Sequence, residues 1–144
     1  MRELEPGARD DFPSLVPKLS DPKVGGMILG TPVYFSNMTS LCKAFLDRLI
    51  VFRKNDCALR NKVAGVIAVG GSRNGGQLLT CESVQGALYG QDMIVVAAGK
   101  PTTRCGAAVW SQKGKEVTAD EAGMQAVGDV ARRVAEVALR MAGT

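Results

Sequence analysis

Residues 63–77 have the sequence VAGVIAVGGSRNGGQ, in which an apolar run passes directly into a glycine-rich segment. The residues of Val63–Val69 do not alternate between apolar and polar, which is typical of a strand buried on both faces of a parallel sheet. Glycines between a strand and a helix allow the backbone to approach a ligand closely. We therefore predict a buried strand, a loop at Gly70–Gly76 and a helix from Gln77 to about Tyr89.

Two similar apolar runs, Val24–Gly30 and Met93–Ala97, predict two further buried strands. A helix follows Asn37 or Thr39 as its N-cap, and a last helix follows the capping box Thr118-Ala119-Asp120-Glu121. The order β-α-β-α-β-α with apolar strands implies parallel pairing, with helices on both faces of the sheet. We predict one α/β domain over residues 1–144, with a short proline-interrupted helix within 10–19 and a loop over 99–115. The predicted apolar faces are Leu41, Phe45, Leu49 and Phe52 in the first of these two helices, and Val127, Val130, Ala131, Val134, Ala138 and Met141 in the last.

Composition excludes several classes of protein. With 46% apolar and 22% charged residues, the chain is globular and not disordered. Its net charge of +4 is spread among acidic residues, without the basic block that follows a nucleic-acid backbone. Because no apolar stretch reaches the roughly 18 residues of a membrane span and the N-terminus has no apolar core of a signal peptide, we expect no membrane association and a cytoplasmic protein.

The sequence contains no histidine, which excludes Ser-His-Asp and Cys-His catalysis and histidine-ligated zinc. Its four cysteines, Cys42, Cys57, Cys81 and Cys105, are far apart and form no CxxC motif. Free thiols in a reducing compartment are favoured over two disulfides. Cys105 is the one plausible reactive thiol, and we expect no metal site.

Ligands of open parallel sheets bind beyond the carboxyl ends of the strands, which here means the loops at 31–38, 70–77 and 98–106. The first loop contains Tyr34 and Phe35, which suit a flat heteroaromatic ligand but could equally pack inward. The glycine-rich loop lacks the pattern of a P-loop and the GxGxxG spacing of a dinucleotide-binding turn. It is compatible with a ligand cradle, with a phosphate site or with a flexible turn.

Taken together, two motifs resemble a known family. Gly30–Met38 (GTPVYFSNM), continued by Lys43–Arg48, and Val69–Gln77 (VGGSRNGGQ) resemble the flavodoxin-like NAD(P)H-dependent FMN reductases and quinone reductases, including their iron–sulfur flavoprotein branch. The resemblance implies a flavodoxin-like three-layer sandwich, FMN as cofactor, and electron transfer from NAD(P)H to a quinone, flavin or other small acceptor. It also implies a homo-oligomer and no obligatory catalytic side chain, because the flavin carries the chemistry. The implied FMN-binding residues are Thr31, Pro32, Val33, Tyr34, Phe35, Ser36, Asn37 and Met38 in the first motif, and Gly70, Gly71, Ser72, Arg73, Gly75 and Gly76 in the second.

The sequence departs from this family at its N-terminus. The family's first strand and its phosphate loop have no counterpart in Met1–Asp10. In the flavodoxin-like strand order that first strand lies beside the one predicted at Val24–Gly30, so we predict an unpaired strand edge there. Three explanations remain open: a shortened flavoprotein, a sheet completed by another copy or polypeptide, or a scaffold protein that has lost its flavin. Because no cysteine precedes Cys42, we expect no iron–sulfur cluster.

Overall fold

The computed structural model describes residues 10–100, 105–112 and 115–143. Its helices and strands alternate along most of the chain. In chain order the elements are α1 (Phe12–Ser20), β1 (Gly26–Tyr34), β2 (Asn37–Met38), α2 (Ser40–Arg48), α3 (Ile50–Arg53), β3 (Val63–Gly70), α4 (Gln77–Tyr89), β4 (Ile94–Val95), β5 (Ala107–Trp110), a short 3-10 turn (Val117–Ala119) and α5 (Glu121–Met141).

The sheet is built around β3. On one edge β3 pairs in parallel with β1, from Gly26 opposite Val63 to Pro32 opposite Val69. On its other edge it pairs in parallel first with β4 and then with β5, which occupy successive halves of the same edge. The short β2 pairs antiparallel with the end of β1. The predicted parallel α/β sheet is confirmed.

Two apolar cores lie on opposite faces of the sheet. On one face Ala64, Val66 and Ala68 of β3 pack with residues of α1 to α4, including the fully buried Leu49 and Leu88. On the other face Val63 packs against α5. Alternate residues of β3 therefore point into different cores, which gives three layers and explains why this strand carries no polar residue.

Helix α5 lies directly on β3 because two glycines leave room for it. An ideal Cβ on Gly65 would lie 2.7 Å from Val130 Cγ1 and 2.8 Å from Val134 Cγ2. An ideal Cβ on Gly26 would lie 2.5 Å from the Val63 carbonyl oxygen. The close approach of helix and sheet thus requires glycine at both positions.

The structure corrects the predicted strands in three places. Strand β1 continues through Tyr34, so residues 31–34 belong to the sheet and not to a loop. The third predicted strand shortens to Ile94–Val95. The predicted loop over 99–115 contains β5, whose two alanines give a weak strand pattern and whose position depends on pairing with β3.

The helices agree better, with corrections to one cap and to two residues of the apolar faces. Thr39 caps α2 through its hydroxyl, which accepts a hydrogen bond from Cys42 N at 3.2 Å. The predicted capping box at Thr118 is wrong: Asp120 caps α5, because its Oδ1 accepts from Gly123 N at 3.1 Å. Leu41 and Met141, both predicted on apolar faces, are 79% and 52% exposed.

The outer edge of β1 is unpaired over most of its length. Within the described residues its one partner on that side is β2, which covers Val33 and Tyr34 alone. Residues 1–9 lie outside the described part of the chain, so the open edge of β1 stays a prediction. Strand β1 is not buried on both faces as predicted, since Ile28 is 40% exposed. None of the helices in the described ranges is long and apolar enough to cross a membrane.

We expect Gly65→Ala to lower the free energy of unfolding by about 1–3 kcal/mol, because the added methyl overpacks the contact between β3 and α5. Gly128→Ala is the matched control, since an ideal Cβ on this exposed α5 residue meets nothing within 4 Å. The control should raise stability by about 0.5–1 kcal/mol through helix propensity. Urea unfolding of the three proteins measures both effects, and equal stability of both variants would contradict the close packing of α5.

Candidate functional site

The first predicted ligand loop is a β-hairpin. Val33 pairs with Met38 and Tyr34 with Asn37, so the connection between the strands consists of Phe35 and Ser36. Both have positive φ, 52° and 60°, the conformation that a two-residue hairpin turn demands. Because neither is glycine, the turn holds backbone strain of about 1–3 kcal/mol per residue. Such strain is found where the surrounding structure fixes a loop for function.

The hairpin presents aromatic side chains to solvent. Phe35 is fully exposed and Tyr34 is 63% exposed. Inward packing, the alternative left open by the sequence, is therefore wrong for both rings. Exposed aromatic side chains next to each other mark a surface that binds a ligand or a partner.

The glycine-rich loop contacts the hairpin directly. Gly76, at φ 96°, is the N-cap of α4, and an ideal Cβ there would lie 2.6 Å from both Cα and Cβ of Ser36. Glycine is required twice here, for the left-handed backbone and for the approach. The two motifs that are far apart in sequence thus form one continuous edge.

The buried side chain of Gln77 fixes the shape of the glycine-rich loop. Its Nε2 donates to the Ser72 carbonyl at 2.6 Å, and its Oε1 accepts from Gly75 N at 2.8 Å. Gln77 is 4% exposed, and an ideal Cβ on Gly70 would lie 2.5 Å from its Nε2. One amide therefore bonds two points of the loop from its buried side, and the use of this loop as a ligand cradle stays a prediction.

Trp110 and Arg73 hold the same loop from the β5 side. The indole Nε1 of Trp110 donates to the Gly71 carbonyl at 3.3 Å, and Ser111 N donates to the Gly70 carbonyl at 2.9 Å. The Arg73 guanidinium lies 5.1 Å from the centre of the Trp110 ring, a cation–π contact.

The predicted site residues fall into two groups. Thr31 is 3% exposed, and its hydroxyl accepts from Thr39 N at 3.3 Å, so it supports the start of α2 from inside. Val33 and Met38 pack against the core beneath the hairpin. Facing solvent along the edge are Pro32, Tyr34, Phe35, Ser36, Asn37, Gly71, Ser72 and Arg73, with Gly75 and Gly76 half-buried between them and Gly70 buried at the end of β3.

Of the third predicted loop, 98–106, residues 101–104 lie outside the described residues; the strands before and after it, β4 and β5, pair with successive halves of β3. Cys105 at its end donates from its thiol to Glu82 Oε1 at 3.6 Å. All four cysteines are free. In the described ranges no three His, Cys, Asp or Glu side chains lie together so that they could hold a metal ion.

Comparison with known proteins identifies the family. The model of the NADPH-dependent FMN reductases matches residues 2–107, well over half of the chain. The chain belongs to this family. FMN is accordingly its cofactor, as the sequence resemblance implies.

Curated relatives of the chain are iron–sulfur flavoproteins. It is 34% identical over 128 residues to an iron–sulfur flavoprotein of Methanosarcina thermophila, covering 89% of the chain and 62% of that relative. The chain thus spans about three fifths of the length of this curated relative.

Two solved structures share the flavodoxin-like fold. A flavodoxin, WrbA-like protein from Agrobacterium tumefaciens superposes with a TM-score of 0.66 at 21% identity, covering 87% of the chain and 71% of that structure. RosB with bound 8-demethyl-8-formylriboflavin-5'-phosphate superposes with a TM-score of 0.64 at 20% identity, covering 96% and 56%. The predicted flavodoxin-like fold is confirmed.

The described edge fits the ring end of FMN. An ideal Cβ on Gly71 meets nothing within 4 Å, so the space beside this backbone is open. The hairpin that contacts this loop at Ser36 carries exposed aromatic rings and an exposed amide, Asn37. A flat heteroaromatic ring needs this combination of apolar wall, close backbone and polar edge.

Sequence reasoning missed Gln77 and Trp110. Gln77 stands at the end of a motif that was recognised, but its role depends on its burial and on a carbonyl five residues away. Trp110 is the single tryptophan of the chain, a residue type that is often found in binding sites. Its contact with Gly71 spans 39 positions and follows from the pairing of β5 with β3.

We expect Gln77→Ala to lower the free energy of unfolding by about 1–3 kcal/mol, because it removes the amide that bonds both Gly75 N and the Ser72 carbonyl and leaves these two groups with only their 3.2 Å hydrogen bond to each other. It should also speed hydrogen exchange at the Gly75 amide. The control Gln125→Ala, at an exposed position of α5, should change neither quantity. Unchanged exchange at Gly75 in Gln77→Ala would show that the loop is held by other contacts.

We expect two thiols to react quickly with an aromatic disulfide reagent in the native protein, and all four after denaturation. Burial, with smaller contributions from Cys105 and Glu82, raises the pKa of Cys81 to about 11, and burial also raises the pKa of Cys42. Cys57 and Cys105 are partly exposed. Cys105→Ser should remove one fast thiol, whereas fast modification of Cys81 would contradict its burial.

The Cys81 thiol also gives stability a pH dependence. Its ordinary pKa is 9.0, so the thiolate forms in the unfolded chain before it forms in the folded one. The contribution of the neutral Cys81 thiol to the free energy of unfolding is fully present below about pH 9 and declines as the pH rises toward 11. In unfolding measurements across this range, Cys81→Ala should remove that part of the decline.

Proposed function

We propose that this chain binds the ring of FMN along the hairpin and the glycine-rich loop, within an NAD(P)H-dependent oxidoreductase. The electron acceptor is a quinone, a flavin or another small molecule. The observation that carries the proposal is the contact between Ser36 and Gly76, which joins the two motifs into one edge. Along that edge lie exposed aromatic rings and the open backbone of Gly71.

The solvent-facing residues of this edge would touch the ring. Tyr34 and Phe35 supply apolar surface, and Ser36 and Asn37 supply hydroxyl and amide groups beside it. Gly71, Ser72, Arg73 and Gly75 offer backbone at close range. The remaining predicted residues act from beneath, because Thr31, Val33 and Met38 hold the hairpin on the core and Gly70 and Gly76 shape the loop.

When bound, FMN supplies the redox chemistry, since it accepts a hydride from the nicotinamide and returns electrons to the acceptor. The chain's own part is to bind and orient the ring, for which the strained turn and the amide-locked loop are suited. The chain has no histidine, and we assign no catalytic side chain. The residues described at this edge would contact the ring of FMN. We assign none of them to its phosphate.

We further propose a homo-oligomer in the cytoplasm. The unpaired edge of β1 and the exposed Phe35, Leu78 and Leu79 support self-association, because open strand edges and apolar surface favour contact with another chain. Four free cysteines support a reducing compartment.

The flavin assignment is tested with Asn37→Ala and Gly71→Val. An isopropyl group at Gly71 meets no protein atom near its Cβ, so the variant should fold and fill the space of the ring. We expect Gly71→Val to abolish FMN binding. Loss of one side-chain hydrogen bond in Asn37→Ala should weaken binding by up to about tenfold. Fluorescence titration with FMN and NAD(P)H oxidation with a quinone measure both variants.

Gly86→Val is the matched control, since Gly86 is exposed on α4 and an ideal Cβ there also meets nothing within 4 Å. It should bind FMN as the unmodified chain does. If both site variants keep full FMN affinity, the assigned edge is wrong. A folded chain that binds no FMN would instead favour the alternative of a scaffold that has lost its flavin.

A further inference from the structure

A second cleft, which we call the Trp110 cleft, lies on the β5 side of the glycine-rich loop, whereas the hairpin lies on the β1 side. Its volume is about 580 Å³, within the range of small-molecule sites. Strand β5 and the first turns of α4 and α5 form it. The residues that matter for its chemistry are Arg73, Leu78, Lys100, Val109, Trp110 and Asp120.

Apolar groups form the walls of this cleft. The cleft is lined by Val109 and Trp110 of β5 and by Leu78 of α4, which is 51% exposed. The indole is fixed in place by its hydrogen bond to the Gly71 carbonyl. A fixed, partly exposed indole beside an exposed leucine is a surface on which a planar ring packs well.

The charged side chains that line the cleft are two cations and one carboxylate. Arg73 and Lys100 are exposed cations, and neither forms an ion pair within the part of the chain that the structure describes. The carboxylate that lines the cleft, Asp120, is already engaged: Oδ2 accepts from Trp110 N at 2.8 Å and Oδ1 from Gly123 N at 3.1 Å. Two cations therefore remain for an anionic ligand.

We propose that the Trp110 cleft binds a small planar aromatic carboxylate. Its ring lies against Trp110 and Leu78, and its carboxylate is held by Arg73 and Lys100. Arginine matches the two oxygens of a carboxylate with its planar fork, which a simple point charge does not. This site shares Arg73 with the edge proposed for the flavin ring, but its ligand does not require bound FMN.

The test uses 2-naphthoate as the probe and uncharged 2-naphthamide as its neutral counterpart, titrated into the full chain without FMN by calorimetry. The single tryptophan, Trp110, gives an independent fluorescence readout located in the cleft itself. We expect one-to-one binding of 2-naphthoate with a change in this fluorescence. The amide should bind at least about tenfold more weakly, because it lacks the charge-assisted contacts.

Variants of the two exposed cations separate this site from a nonspecific surface. Arg73→Gln and Lys100→Gln should each weaken 2-naphthoate binding by about tenfold to a hundredfold and leave 2-naphthamide binding unchanged. Arg73→Lys should retain part of the affinity. Lys54→Gln is the control, since Lys54 is also an exposed lysine but does not line the cleft. It follows α3 and precedes the first residue of β3, whereas the cleft lies beyond the last.

Several outcomes would overturn the proposal. These are no binding of 2-naphthoate, equal affinity for acid and amide, or full affinity in both cation variants. If FMN and 2-naphthoate compete, and Lys100→Gln weakens the binding of both ligands equally, the cleft is part of the flavin site. A chain that binds 2-naphthoate but no FMN would refute the flavin assignment alone.

Discussion

Parallel backbone pairing on both edges of β3 is the constraint on which the rest of the structure depends. Strand β1 takes one edge along nearly its whole length, and β4 and β5 share the other. Since β3 ends at Gly70, the pairings of Pro32 with Val69 and of Trp110 with Gly70 place the hairpin and β5 on either side of the glycine-rich loop. The edge proposed for the flavin ring and the Trp110 cleft therefore lie on either side of the same glycine-rich loop.

That loop is held by side chains on two sides of it. Gln77 closes it from the buried side, and Trp110 holds it from β5. Gly76 lets it approach Ser36. The strained turn at Phe35 and Ser36 is supported by this contact, so the positions of the exposed groups are determined by packing beneath and beside them.

The parts predicted well from sequence are those with strong local patterns. Strand β3 and helix α4 follow from an unbroken apolar run that ends in glycines, and their predicted bounds agree with the structure. The extension of β1 through Pro32 was missed because proline usually ends a strand, although an edge strand tolerates it. Strand β5 and the cap at Asp120 depend on distant partners: β5 needs β3, and Asp120 accepts from Trp110 N as well as from its own helix. Of the candidate site, the two motifs were predictable, but the residues that fix them were not.

The division of one sheet edge between β4 and β5 has a consequence for how such proteins diverge. Each of the two strands is anchored to β3 by its own hydrogen bonds, so the register of either strand does not depend on the length of the connection between them. Insertions or deletions between Val96 and Cys105 can therefore accumulate without shifting the register on either side. Because Lys100 and Cys105 line the Trp110 cleft, changes of length there would alter what the cleft accepts while the fold and the flavin edge stay the same.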